Sequence, residues 1–173
     1  MRAAILLLLV ASPALAASPL RVDVEVDPIA YALDGYSLHV GLGAGAWRVD
    51  LGAFAATLPE VAHGQTGFDA SFSGFGMKLD RTFGEDGMGL ALGLEAGLSH
   101  LLVRRDDRAA VMRLGTVTAR VGYRLPLGEH FFVMPWVGVG AYLGARDVAV
   151  GDATWAQPVA LVFPTVHVGY RLP

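Results

Sequence analysis

The sequence predicts an all-β fold, an eight-stranded antiparallel up-and-down transmembrane β-barrel, and three observations carry that prediction. Apolar residues recur with period 2, which puts alternate side chains on opposite faces of an extended chain. The connections alternate between tight turns and longer, more polar loops, the habit of barrels that cross a membrane with their turns on one side. The face opposite each apolar stripe is poor in Lys and Gln and rich in Gly and Ala, with isolated charges of both signs. Such residues suit a narrow lumen that side chains fill.

Composition bounds the alternatives. The chain has 173 residues, no cysteine, 22 glycines and a formal net charge of −3. Its mean hydropathy of +0.48 is high, yet beyond residue 12 Gly, Asp, Arg or His interrupts every apolar run before the ~18–20 residues that a spanning helix needs. An apolar content of 54% excludes disorder. The mildly acidic balance argues against a nucleic-acid partner.

The first segment reads as an export signal. Arg2 supplies a positive start, residues 3–11 an apolar stretch centred on Leu6–Leu9, and Ala14-Leu15-Ala16 a small-x-small cleavage pattern. The expected division is therefore 1–16 signal peptide and 17–173 barrel. An exported chain without cysteine does not use the disulfides its compartment permits.

The first strand follows, with Val22, Val24 and Val26 alternating with Arg21, Asp23, Glu25 and Asp27. After Pro28 the apolar phase moves to Ile29, Tyr31 and Leu33. That shift predicts a bulge, because proline lacks the ladder N–H. Asp34-Gly35 then predicts a tight turn. Seven further strands are expected at 36–45, 47–57, 68–80, 88–104, 111–125, 131–144 and 159–172. In the second of these, Trp47, Val49 and Leu51 alternate with Arg48, Asp50 and Gly52. In the fourth, Leu90, Leu92, Leu94, Ala96 and Leu98 oppose Ala91, Gly93, Glu95, Gly97 and Ser99. In the fifth, Val117, Ala119, Val121 and Tyr123 oppose Thr118, Arg120, Gly122 and Arg124. In the last, Val166, Val168 and Tyr170 oppose His167, Gly169 and Arg171. Tight turns fall near 45–46, 83–87 and 127–130, and longer loops at 58–67, 104–110 and 145–158. Tyr36, Trp47, Tyr123, Trp136 and Tyr170 lie near strand ends, where aromatic girdles flank a lipid-facing band.

This arrangement resembles the small eight-stranded outer-membrane barrels of Gram-negative bacteria. The C-terminal Val166-x-Val168-x-Tyr170-x-Leu172 is similar to the signal that the outer-membrane assembly machinery reads, although the last residue is Pro173 rather than phenylalanine. Residues 27–41, Asp27-Pro-Ile-Ala-Tyr-Ala-Leu-Asp-Gly-Tyr-Ser-Leu-His-Val-Gly41, resemble the signature of a family of exported barrel proteins that brings no activity with it. The resemblance implies an outer-membrane location, a monomer, and contact with outer-membrane lipid and lipopolysaccharide.

Motifs for chemistry are sparse, and neither catalysis nor a cofactor is expected. Gly41-Leu-Gly43-Ala-Gly45 and Gly138-Val-Gly140 continue into strand, not into the helix that a phosphate loop requires. His39, His63, His100, His130 and His167 lack metal spacing, so no metal site is expected, and His39 and His167 fall on lumen faces where they can meet. A lipid A acyl-chain hydrolase is an alternative, since a serine nucleophile needs a histidine within reach and an acid to orient it. Ser99 and His100 are adjacent in one strand and point to opposite faces, and Ser37 and His39 share the lumen face. A soluble lipocalin-like binder is a second alternative, but it would carry the reverse pattern, apolar inside and polar outside.

The candidate sites are therefore two. Asp50, Glu95, Arg48, Arg120, Arg124 and Arg171 form an expected lumen ion-pair network, because an unpaired charge in a filled lumen is expensive. Reflecting the fourth of the seven strands onto the fifth puts Glu95 opposite Thr118, one pleat from Arg120. Arg104, Arg105 and Arg108, in a mixed-sign run at 104–108, are a candidate site for lipid phosphates through bidentate arginines.

Overall fold

The computed structural model describes residues 19–173, so the expected signal peptide lies outside the described residues. Ten strands run through this part of the chain: β1 Arg21–Val26, β2 Tyr36–Ala44, β3 Trp47–Leu58, β4 Asp69–Thr82, β5 Gly89–Arg105, β6 Arg108–Leu127, β7 Phe131–Leu143, β8 Val148–Val150, β9 Ala153–Trp155 and β10 Ala160–Arg171. Eight of them close into a barrel in the order β1-β10-β7-β6-β5-β4-β3-β2, every neighbouring pair antiparallel. Closure removes the unpaired edge that an open sheet would leave. The seam joins the first and last strands, with Asp23 opposite Arg171 and Val26 opposite Val168. Both ends of the described chain, and the connections β2–β3, β4–β5 and β6–β7, lie at one end of the barrel, called here the terminal end; the other is the far end.

The connection after β1 is helical, which corrects the expected bulge, and the chain then turns at Leu33 and Asp34, the latter in the left-handed region at φ 54°, before β2. Pro28–Ala32 is a short helix, α1, with Pro28 in its first turn, where proline's missing N–H costs nothing. Asp27 caps it, one carboxylate oxygen accepting from the Ile29 backbone N–H at 2.8 Å. The other oxygen accepts from the Thr165 hydroxyl on β10, so one side chain starts the helix and ties it to the seam. The apolar phase shift of Ile29 and Tyr31 is thus a change to helical spacing.

Two more far-end connections differ from expectation. The 104–110 loop is a two-residue turn at Asp106 and Asp107, with Asp106 in the left-handed region at φ 52°. β5 and β6 therefore run for 17 and 20 residues and extend past their neighbours as a hairpin. The 145–158 loop contains the small hairpin β8–β9, pairing Val148 with Trp155 and Val150 with Ala153. A single helical turn at Glu60–His63, α2, sits in the β3–β4 connection.

The interior changes character along the axis. At the terminal end the inward positions carry charge: Asp23, Glu25, Arg48, Asp50, Lys78, Asp80, Arg120 and Arg124 are all buried. Outward positions at that level are apolar, including Leu42, Val49, Leu79, Leu92 and Val121, all at least 41% exposed. At the far end the polarity inverts. Phe68, Ala70, Leu101, Val103, Met112 and Leu114 point inward and pack with Val150 and Trp155 of the small hairpin, while Ser73, His100 and Arg113 point outward and are exposed. The chain is therefore inside-out through most of its height and has ordinary protein polarity at the far end.

Among the described residues no charged side chain points outward between Arg81 near the terminal end and the level of His100 and Arg113. Leu90 and His100 are ten positions apart on β5, about 33 Å along a strand and roughly 25 Å along the axis of a barrel tilted by ~40°. That matches the apolar band of about 25 Å on transmembrane barrels. At its terminal-end margin Trp47, Phe83, Tyr123 and Phe131 are exposed, with the Arg81 guanidinium 5.8 Å from the Trp47 ring and 5.1 Å from Phe83. Trp136 does not join such a girdle. It shares the inward face of β7 with Phe132 and Met134 and is buried, because even-numbered positions on that strand face the lumen.

Candidate functional site: the lumen charge layer

Six of the eight barrel strands contribute charged side chains to one layer of the lumen. Period-2 geometry explains how each arrives there: Asp23 and Glu25 on β1, Arg48 and Asp50 on β3, Lys78 and Asp80 on β4, Glu95 on β5, Arg120 and Arg124 on β6, and Arg171 on β10 are all on the inward phase of their strands. Glycines opposite them make the room. A Cβ on Gly41 would overlap the Arg48 guanidinium, and one on Gly52 would overlap the His39 ring. These glycines leave space for long side chains to lie across the lumen.

Arg124 and Arg48 organise the layer. Arg124 donates from Nη1 to Asp23 Oδ2 at 2.8 Å and from Nη2 to Glu25 Oε1 at 2.6 Å. Arg48 Nη2 lies 2.6 Å from the same Glu25 oxygen and 2.9 Å from Asp50 Oδ2, and its Nε reaches Asp23 Oδ2 at 3.3 Å. Arg171 Nε donates to Asp23 Oδ1 at 3.0 Å. Lys78 Nζ is 3.3 Å from Asp50 Oδ1 and 3.1 Å from His39 Nδ1. His167 Nδ1 is 2.8 Å from Glu25 Oε2, and the His39 and His167 rings stand 4.8 Å apart, centroid to centroid.

On the opposite wall the register places Glu95 across from Thr118. Arg120 Nη1 is 3.6 Å from Glu95 Oε2, and its Nε is 3.3 Å from Asp80 Oδ1. Asp80 also lies 3.9 Å from Arg48 Nη1, so it bridges the two walls. The Arg120 guanidinium sits 4.2 Å from the Trp136 ring centroid, and that of Arg124 sits 4.3 Å from Phe132. Planar guanidinium groups stack on aromatic faces while keeping their edges free for carboxylates.

The structure thus brings Asp50, Glu95, Arg48, Arg120, Arg124 and Arg171 into one layer with Asp23, Glu25, Lys78, Asp80 and the two histidines. Five carboxylates face four arginines and one lysine there. The expected network lacked Asp23 and Glu25, which alternate with Val22, Val24 and Val26 on β1, and also Lys78 and Asp80 on β4. The signal on β4 is the alternation of Gly76, Lys78, Asp80 and Thr82 against Met77, Leu79 and Arg81.

Of the arginines of the 104–108 run, Arg105 and Arg108 stand opposite each other beside the β5–β6 turn and line one surface cleft with Asp106, Asp107 and Asp152, and Arg104 lies apart from it. Arg104 is exposed on β5. The Arg105 guanidinium stacks 5.2 Å from the Phe68 ring. Arg108, at the hairpin tip, lies 3.5 Å from Asp107 in solvent. Neither serine–histidine candidate is joined by a hydrogen bond: Ser99 points inward and His100 outward, and Ser37 Oγ has no partner among the described residues.

A closed antiparallel ring of eight strands with a charged interior and an apolar exterior defines a β-barrel of the transmembrane class. Its fold is shared with a major outer membrane protein from Thermus thermophilus, at a TM-score of 0.53 and 12% identity over 89% of this chain and 100% of that one. The N-terminal beta-barrel domain of Pseudomonas aeruginosa OprF gives a TM-score of 0.49 at 15% identity, over 88% of this chain and 96% of that one. At 12% identity the likeness to the Thermus protein is one of fold. No protein-family model and no curated protein sequence matches the chain.

Proposed function

We propose that this chain is an outer-membrane barrel of a Gram-negative cell, exported by a cleaved leader over residues 1–16, with its terminal end in the periplasm and its far end outside. Its role is structural or one of surface interaction. The observation that supports this reading is the inversion of face polarity along the axis. A charge-free outer band about 25 Å tall, as a bilayer's hydrocarbon requires, gives way at the far end to polar outward and apolar inward residues. The lumen does not conduct. Eight strands enclose a space that side chains fill, whereas porins use 16–18 strands to leave a channel, and here the charge layer and the far-end apolar cap close it twice. Lipid and the assembly machinery are its partners.

Heat-modifiable gel mobility of the protein in an isolated outer-membrane fraction tests the location, and recovery in the soluble periplasmic fraction would overturn it. Planar-bilayer recording of the refolded protein tests the sealed lumen. The expected trace is flat, and a steady large conductance would refute it.

A further inference from the structure

Where the outer face turns polar, one row of side chains crosses three strands. Ser73 on β4 stands directly opposite His100 on β5, and His100 stands directly opposite Arg113 on β6. All three are outward and exposed. Directly opposed residues on one sheet face have Cβ atoms about 4.5–5.5 Å apart, so the row presents a hydroxyl, an imidazole and a guanidinium within reach of a single small anion. The ion pairs on β6 are made by Arg108, Arg120 and Arg124, which leaves Arg113 with no carboxylate partner among the described residues. Arg104 differs, because Asp69 stands opposite it on β4 and offsets its charge.

The surroundings decide what kind of anion fits. Along the strands the row has Leu98, 56% exposed, on one side and Val111, 60% exposed, on the other, with Leu102 beside Val111 in the register. A free ion has no use for apolar neighbours, and the row stands at the margin of the belt that lipid covers. A lipid fits this place, with acyl chains along Leu98 and the belt below and a charged head at the row.

We propose that Ser73, His100 and Arg113 form a binding site for the phosphomonoester head of an anionic membrane lipid, held at the far-end margin of the apolar belt. Arg113 grips two phosphate oxygens through its planar fork, and His100 and Ser73 donate to the remaining ones. This inference rests on the membrane reading above and moves the lipid-phosphate contact from the hairpin tip to the barrel wall. The row is not a hydrolytic site, because the third position that would orient His100 carries a cation where a carboxylate is needed.

Native mass spectrometry of the purified protein with phosphatidic acid, and separately with phosphatidylcholine, is the test. The wild type is expected to retain phosphatidic acid at least fivefold better than phosphatidylcholine. Arg113→Gln should remove that preference, Arg113→Lys should keep part of it, and Arg105→Gln with Arg108→Gln should leave it intact. Equal retention of the two lipids by the wild type, or an undiminished preference in Arg113→Gln, would overturn the site. Insertion into phosphatidylcholine vesicles, read by heat-modifiable mobility, is scored independently. A protein that inserts without preferring phosphatidic acid refutes this site alone, whereas one that fails to insert refutes the membrane reading.

Discussion

Near the termini the lumen is filled by Asp23, Glu25, Arg48 and Arg124, tied by contacts of 2.6–3.3 Å, while at the far end it is filled by Leu101, Val103, Met112, Leu114 and Trp155. The first filling is directional: each charge has named partners, and the layer is neutral only if every member is present. The second is non-directional and needs volume and shape alone. The charged filling lies where lipid surrounds the wall, so apolar side chains are spent on the outside and polar ones remain for the inside. The apolar cap lies where the wall meets water. There the β8–β9 hairpin adds the layer that an ordinary core requires, and Gln65 fastens it to the β3–β4 connection through paired bonds with the Ala156 backbone at 2.8 and 3.2 Å. One closed sheet thus uses two solvents, and the inner face follows whichever is outside.

Loss of a cation from the charged layer should have the largest effect. Arg124→Met leaves the buried layer one positive charge short beside Asp23 and Glu25, and urea unfolding in detergent micelles should show a loss of about 3–5 kcal/mol. A loss below about 1 kcal/mol would show that water reaches the layer. In the cap, Trp155→Ala should cost about 3 kcal/mol by opening a cavity beside Phe68, whose ring it meets edge-on at 5.6 Å. Limited proteolysis should then cut within 145–158 while the heat-modifiable barrel persists; collapse of the whole barrel would mean the two fillings are not separable. The Glu95–Arg120 contact is longer, at 3.6 Å, and Glu95 keeps 15% of its side chain accessible. A double-mutant cycle of Glu95→Gln and Arg120→Met should accordingly give a coupling of only about 1 kcal/mol. At the hairpin tip, with Arg108 69% and Asp107 83% exposed, Arg108→Gln should change stability by less than about 0.5 kcal/mol in the same assay.

The contrast between the halves also decides what the sequence reveals. Strand phase is legible wherever lipid lies outside, because Leu90 through Leu98 can then alternate only with small or charged partners. The pairing of Glu95 with Thr118 follows from that phase and the centre of one turn. In the upper part of β4 the cue disappears. Phe72 points in and Ser73 points out, the reverse of Lys78 and Leu79 on the same strand, so no single rule of polarity identifies the inner face over its whole length. Trp136 is misread as a girdle residue for a related reason: β7 fills its lumen side with Phe132, Met134 and Trp136 rather than with charge. The helix at Pro28–Ala32 and the β8–β9 hairpin are too short to show a period of their own. They are fixed by tertiary partners instead, Thr165 for the first and the cap for the second.

The position of the charged layer in the chain has a consequence for the timing of folding. Arg124 meets Asp23 across 101 residues, and Arg171 meets the same carboxylate across 148. Glu25 waits for His167 across 142. The carboxylates of β1 can meet Arg48 and Arg124 before the last strand arrives, but Arg171 and His167 join them only when the seam closes. Contacts of such separation make folding slow. They also give the last step a drive of its own: insertion of β10 completes the ladder and adds Arg171 and His167 to carboxylates that β3 and β6 satisfy only in part.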